Sequence, residues 1–388
     1  MIFYSKPSIT NNEFKFVKKV LTKKILTDGF FQKKVESIIK IKIKSNFIAL
    51  TQSCTDALEM AVNLIDLKPN DEVIMPSFTF TSTANSVVLK NSKPVFVDIK
   101  PECFQIDENK IEKLITKKTK AIFVVHYGGN CIDLKKILYL KKKYNLFLIE
   151  DTAHSFLASR NGKFAGTIGD IGVFSFHETK NFTGGQGGAI SINNPKLIKR
   201  ANFLLDKGTD RVDFLRDYKK QFISEKKNYR KNFYSWVDVG SEYRATEISS
   251  ALIYSQLLRC ENITQKRKKI WENYYKFFQK LNLKNVELIN IDKHVNHAYH
   301  LFCFKLKNKK LASKLRSFLQ KKKIPATFHY VPLHSSKFGK QFKHGDMTIT
   351  NNIWQRIVRL PLYPDLKKKE FLKIIKTLSF FLIKNNYL

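Results

Sequence analysis

Cysteine is scarce in this chain and is not arranged in pairs. Five cysteines, at positions 54, 103, 131, 260 and 303, are spread over 388 residues. An odd number without paired spacing excludes a disulfide framework and a structural zinc site, and predicts reduced thiols in a cytoplasmic protein. No cluster with metal-ligand spacing occurs, so no metal is expected. Long apolar runs are missing too: no stretch of about 18 uncharged apolar residues is present, and no membrane span is expected. Lys6 and Glu13 interrupt the order of basic, apolar and small residues that a signal peptide would need. Acidic residues are few, 33 against 70 basic ones, for a net charge of +37. Within that excess arginine is scarce, 11 of the 70. Arginine is the side chain suited to forked contacts with phosphates and bases, so specific nucleic-acid binding is not expected. The lysines are spread over the whole chain beside many Ile, Asn and Phe, as drift in an AT-rich coding sequence would leave them. Weak adhesion to polyanions and a field favouring an anionic substrate follow from the charge.

What is present is a large globular chain, 43% hydrophobic and 13% aromatic. Its length suits two domains, placed at 1–250 and 251–388. Residues 1–46 read as a helical arm with a turn at 25–29. Apolar runs at 47–50, 71–76, 94–99, 121–126, 145–150, 172–176 and 188–192 read as buried strands. Helical patterns separate several of them, among them 107–115 and 133–144. This alternation predicts an α/β fold with a mostly parallel central sheet covered by helices on both faces. Residues 207–236, rich in Lys, Arg, Asp and Tyr, read as a long functional loop or lid. A long helix is expected from 246 towards 277. Beyond it a strand (299–306), a helix (311–320), an extended piece (326–333) and a last helix (367–383) predict a smaller α+β domain.

One stretch organises the rest: Ser175-Phe176-His177-Glu178-Thr179-Lys180-Asn181-Phe182-Thr183-Gly184-Gly185-Gln186-Gly187-Gly188. It leaves one apolar run and enters another through glycines, with a single lysine between. In so lysine-rich a chain any one lysine is first of all a surface charge. Asp151, which ends the run Leu146-Phe147-Leu148-Ile149-Glu150, gives Lys180 more weight. Ligands of parallel α/β sheets bind outside the carboxyl ends of the strands, so the acid and the lysine can face one ligand. A carboxylate for a pyridinium nitrogen and a lysine for an aldehyde make the minimal pyridoxal phosphate site. Thr51-Gln52-Ser53-Cys54-Thr55 lies at a strand-to-helix turn whose free N–H groups suit a phosphate; a plain N-cap at Ser53 or Thr55 explains it equally. The aromatics of Ser77-Phe78-Thr79-Phe80 suit a planar ring or an ordinary core.

These segments resemble the DegT/DnrJ/EryC1/StrS sugar aminotransferases, within fold type I of pyridoxal phosphate enzymes. The matching pieces are 25–29, 53–58, 71–85, 126–129, 150–154, 175–188, 240–251 and 328–334. The branch making dTDP-4-amino-4,6-dideoxygalactose from dTDP-4-keto-6-deoxyglucose is most similar. Its pattern is met by Ser175 to Asn181, by Phe328-His329-Tyr330-Val331-Pro332-Leu333-His334 and by Leu360-Pro361-Leu362. The resemblance implies that Lys180 forms the Schiff base and moves protons, that Asp151 pairs with the ring nitrogen, and that Phe80 stacks on the ring. It implies Cys54, Thr55 and Ser175 as phosphate contacts, and His154 where the family often has a glutamine at the ring hydroxyl. Arg211, Lys219, Arg230 and Lys231 are candidate partners of the nucleotide phosphates, and His329 of the sugar. Glu242 departs from an asparagine that relatives aim at the neighbouring subunit's phosphate, and should point away. Related dehydratases carry histidine in place of the lysine, so Lys180 argues for transamination. Glutamate as amino donor, a homodimer with shared sites, and a product used in a surface glycan are implied by the family. Two other readings stay open: the same chemistry on another keto sugar nucleotide, and a noncatalytic basic protein on the same fold.

Overall fold

The computed structural model describes residues 2–211, 213, 234–281 and 283–384. The chain opens with two helices, α1 (Asn11–Lys23) and α2 (Phe30–Ile43). Seven strands then build the main sheet: β1 (Ile48–Thr51), β2 (Glu72–Pro76), β3 (Lys93–Val97), β4 (Thr119–Val125), β5 (Phe147–Asp151), and, after a short hairpin of β6 (Ser159–Arg160) and β7 (Lys163–Phe164), β8 (Ile171–Ser175) and β9 (Gly188–Ile192). Their spatial order is β1-β9-β8-β5-β4-β2-β3. β9 runs antiparallel to both neighbours, and the other pairings are parallel.

The uninterrupted apolar runs are explained by burial on both faces. Val73, Met75, Phe123 and Ile149 pack with Leu58 and Ala61 of α3 (Cys54–Leu64). Their strand neighbours Ile74, Ile122, Val124 and Leu148 point the other way. Those pack with Ile137 and Leu140 of α5 (Lys135–Lys143), which follows α4 (Thr81–Val88). A further helix, α6 (Ile198–Leu205), covers the α3 face through Ala201 and Leu204.

A second, antiparallel sheet is formed by β10 (Val286–Leu288), β12 (Phe302–Leu306) and β13 (Ile357–Leu360), while β11 (Val295–Asn296) pairs with β6. Phe302, Phe304, Val358 and Leu360 face the helices Lys309–Lys321 and Lys368–Lys384 through Leu315 and Leu378. The alternate residues Cys303 and Ile357 pack instead with Phe78 and Tyr127 beside the main sheet. The period of two thus turns one face of the small sheet towards the large one.

Two expected helices are corrected. Residues 107–115 form only one turn of 3₁₀ helix, Glu112–Leu114. Asp107 diverts the backbone by accepting from the Asn109 N–H at 3.0 Å, a local bond that competes with helix. The helix expected over 246–277 is two helices, Glu247–Leu258 and Cys260–Leu281. No Pro or Gly marks the break, so the periodicity continues across it. Arg259 leaves helical geometry there (φ −115, ψ 14), and its guanidinium donates to Glu13 and to the Ser8 carbonyl. All five cysteines are free thiols. Among the described residues no helix is long and apolar enough to cross a membrane.

That ion pair carries a stability prediction. Glu13 is 2% exposed; one oxygen accepts from the Thr10 N–H and hydroxyl at 2.7 Å each, the other from Gln256 and Arg259 at 2.6 Å each. Burial alone would raise its pKa, but the donors Thr10 and Arg259 oppose it, and the pKa is held at about 2 instead of 4.5. The depressed value means stability present above about pH 4.5 and lost as the pH falls towards about 2. Glu13→Gln should cost about 3 kcal/mol at neutral pH, the scale for breaking a buried pair. Urea unfolding at pH 7 and pH 3 should show the wild-type advantage shrinking at the lower pH.

Candidate active site

The carboxyl ends of β4, β5 and β8 open into a cavity of about 500 Å³ between the two sheets. Asp151 is the last residue of β5 and is 5% exposed. Its Oδ2 accepts from the Thr83 hydroxyl at 2.8 Å and its Oδ1 from the Ala153 N–H at 3.1 Å. No basic side chain forms an ion pair with it among the described residues. The preceding Glu150 faces away and anchors the strand end. It accepts from the N–H groups of Gly166, Ile168 and Gly169, and pairs with His126 Nε2 at 2.9 Å.

Lys180 sits on the loop between β8 and β9, and backbone bonds hold that loop. Phe176 N–H donates to Gly187 O at 2.8 Å, Glu178 N–H to Gly185 O at 2.9 Å, Gly184 N–H to Phe176 O at 2.8 Å, and Lys180 N–H to His177 O at 2.9 Å. The side chain lines the cavity, and Nζ has no hydrogen-bond or ion-pair partner among the described residues. Burial lowers its pKa from the ordinary 10.5, with Arg359 acting in the same direction and Cys54 and Asp151 opposing. The glycine that starts β9 is required by close approach: a Cβ on Gly188 would lie 2.3 Å from the Ser53 carbonyl carbon and 2.5 Å from the Cys54 nitrogen.

That contact brings the start of α3 to the cavity. Ser53 caps the helix, its hydroxyl accepting from the Asp56 N–H at 3.1 Å. The N–H groups of Cys54 and Thr55 have no protein acceptor among the described residues and sit at the positive end of the helix. Ser175, at the end of β8, lines the same region. The Thr55 hydroxyl lies 2.9 Å from the Ser82 hydroxyl. Burial pushes the Cys54 thiol well above its ordinary pKa and keeps it neutral. Phe80 also lines the cavity and is 58% exposed. His154 also lines the cavity, but both ring nitrogens have protein partners: Nδ1 accepts from the Gly128 N–H at 3.3 Å, and Nε2 lies 3.0 Å from the Tyr330 hydroxyl. Burial, reinforced by Lys180, holds its pKa well below 6.5. His329 lines the cavity beside Arg359.

The remaining expectations fall elsewhere. Arg211 is exposed and does not line the cavity. Arg230, Lys219 and Lys231 lie outside the described residues. Glu242 is exposed and pairs with Lys207 at 2.6 Å.

The model of the DegT/DnrJ/EryC1/StrS aminotransferase family matches residues 7–379. The chain belongs to that family. It is accordingly a pyridoxal phosphate-dependent sugar aminotransferase. It is 32% identical over 380 residues to an uncharacterized protein of Methanocaldococcus jannaschii, covering 96% of each chain. It is 29% identical over 382 residues to GDP-perosamine synthase of Escherichia coli O157:H7, covering 97% of each. Among solved structures, Spr1654 of Streptococcus pneumoniae in its PMP form superposes with a TM-score of 0.88 at 25% identity, over 99% of this chain and all of that one.

The residues present fit pyridoxal phosphate on physical grounds. Asp151 is a buried carboxylate without a cation, which suits a protonated ring nitrogen. Lys180 is an unpartnered amine in the same cavity, which suits an aldehyde. The start of α3 and Ser175 offer neutral donors to a dianion. Site residues not assigned a role from the sequence come from five separate segments: Tyr4, Thr83, His300, Tyr330, and Arg359 on β13. Thr83 and Tyr330 lie within the matching pieces 71–85 and 328–334, and Arg359 is a lone charge inside the apolar run Ile357-Val358-Arg359-Leu360.

Proposed function

We propose that the protein transfers the amino group of glutamate to the 4-keto carbon of dTDP-4-keto-6-deoxyglucose, giving dTDP-4-amino-4,6-dideoxygalactose. The observation that carries the chemistry is the presence, in one cavity, of a Lys180 amine without a hydrogen-bond partner and an Asp151 carboxylate without an ion-pair partner among the described residues. Bound there, pyridoxal phosphate supplies a carbonyl carbon to carry the amino group and a ring to withdraw electrons. The N–H groups of Cys54 and Thr55 and the hydroxyl of Ser175 would hold its phosphate. Phe80 would pack against the ring, and Asp151, oriented by Thr83 and Ala153, would keep a proton on the ring nitrogen. Lys180 takes the proton from the α-carbon of glutamate, and later delivers one to carbon 4 of the sugar from the face on which it lies. Its lowered pKa suits both tasks, because an amine must be neutral to accept a proton. His154 keeps its two protein contacts and shapes the wall. Two copies sharing sites is the assembly we favour, supported by exposed apolar side chains such as Ile41 and Trp236, 74% and 76% exposed.

The 4-keto-6-deoxy sugar is supported by the pattern of residues 175–181 and 328–334. A second reading changes the nucleotide: the relative named GDP-perosamine synthase favours a GDP-linked keto sugar. Absorption spectra separate them. The protein with pyridoxal phosphate should show a band near the visible edge that bleaches with glutamate. The dTDP-linked 4-keto sugar should restore it, at least ten times faster than its GDP-linked counterpart. The opposite order would move the assignment to GDP, and restoration by neither would remove the 4-keto-6-deoxy sugar.

A further inference from the structure

Outside the active site, an open groove of about 1370 Å³ lies between the end of the helix Lys309–Lys321 and the last helix, Lys368–Lys384. Five lysines line it, Lys323, Lys368, Lys369, Lys373 and Lys376, beside the apolar side chains of Ile324, Pro325 and Leu372. Elsewhere in the chain lysines have carboxylates: Lys110 pairs with Asp98 and Asp346, and Lys143 with Glu112. None of the five forms an ion pair among the described residues. The one carboxylate in the groove, Glu370, accepts from the Lys367 N–H at 3.0 Å and from the Tyr363 hydroxyl at 3.4 Å. This arrangement works against the fold. Lys368 and Lys369 open a helix of 17 residues, at the positive end of its dipole, and Lys369 and Lys373 repel each other one turn apart. An anion in the groove relieves both.

Apolar side chains share the lysines' face of the last helix. At about 100° per residue, Lys369, Leu372, Lys373, Lys376 and Phe380 fall within roughly 100° of its circumference. The opposite side is core, where Ile374, Leu378 and Leu382 are buried. Leu372 is 44% exposed and Phe380 57%. We propose that this groove and helix face dock the protein on a membrane surface rich in anionic phospholipid, lying on it without crossing it. Headgroup phosphates meet the lysines, whose long stems let the ammonium groups reach them. Leu372 and Phe380 meet the boundary between headgroups and acyl chains. The apolar pair selects the occupant. A soluble polyanion offers phosphates to the lysines but no apolar phase to Leu372, whereas an anionic bilayer offers both. No arginine lines the groove, so the fork that suits nucleic acid is missing. The proposal is independent of which sugar the active site takes.

The test is co-sedimentation of the pyridoxal phosphate-loaded protein with vesicles at about 0.15 M salt, where long-range attraction is screened. Vesicles of phosphatidylcholine are compared with vesicles of equal parts phosphatidylcholine and phosphatidylglycerol. Wild type should bind only the anionic ones. The triple variant Lys369→Gln, Lys373→Gln, Lys376→Gln should bind them about 100-fold more weakly, at about fivefold per lysine. A charge-matched control, Lys117→Gln, Lys118→Gln, Lys142→Gln, removes three exposed lysines elsewhere and should lose less than about fivefold. Leu372→Ser with Phe380→Ser should weaken vesicle binding about tenfold while leaving the affinity for a single-stranded oligonucleotide unchanged. All the substituted side chains are exposed, and urea midpoints report that each variant is folded. Equal losses in the triple variant and its control would overturn the proposal and leave only the diffuse charge of the chain. Vesicle binding indifferent to Leu372 and Phe380 would overturn it in favour of a polyanion held by charge alone. Wild type that stays in solution beside anionic vesicles would overturn it outright.

Discussion

Lys180→Ala should abolish transamination while leaving the fold intact. The amine has no partner among the described residues, so its removal breaks no hydrogen bond and relieves a desolvated charge. The loop that carries it is held by backbone bonds, including Lys180 N–H to His177 O, which alanine keeps. Stability should therefore change by less than about 1 kcal/mol. Chemistry should fall by about 10⁴-fold, the upper end for a positioned acid–base group, because neither the α-proton of glutamate nor carbon 4 of the sugar then has a proton carrier. Single-turnover formation of the amino sugar measures this. Added methylamine should restore part of the rate, since it replaces the missing base but not its positioning. A variant within tenfold of wild type would remove Lys180 from the mechanism.

The part of this site that could be read from sequence is the part built at strand ends. Asp151, Ser175 and the turn at Ser53 each follow an apolar run, and a parallel sheet brings all its carboxyl ends to one edge. Order along the chain was enough to place them together. The wall contributed by the second sheet could not be read this way. Arg359 reaches the cavity because β13 pairs with β12 in a register that sets it opposite Cys303, and because that face turns towards Phe78 and Tyr127. Neither register nor sheet-on-sheet placement leaves a mark within four residues of Arg359. Tyr4 lies more than three hundred residues away from its contacts His329 and Arg359. The misread helix at 107–115 has a local cause, the Asp107 side chain. The unmarked break at Arg259 is tertiary, since the guanidinium is held by Glu13 from α1.

The same separation between what holds the fold and what does the work makes Asp151→Asn informative. In the protein without cofactor, Asp151 is a buried carboxylate supported by one hydroxyl and one N–H, with no ion-pair partner among the described residues. A neutral amide of the same shape avoids that desolvation, at the expense of leaving one of the two donors poorly matched. The cofactor-free variant should thus be as stable as wild type within about 1 kcal/mol, or more stable. Function should move the other way. An amide can touch the ring nitrogen but does not keep a proton on it, so the electron-withdrawing state is no longer favoured. We expect kcat to fall by about 10³-fold, comparable to removing a preorganised electrostatic contact worth roughly 4 kcal/mol. The lysine-linked visible band should survive, because Lys180 and the phosphate donors of α3 are untouched. Thermal unfolding of the cofactor-free protein, the absorption spectrum and kcat together decide the matter. A variant that unfolds early would make Asp151 a structural residue. One that is stable, coloured and fully active would show that the ring nitrogen is held by something else. Loss of rate with stability and colour retained is the result that the position of Asp151 at the end of β5 requires.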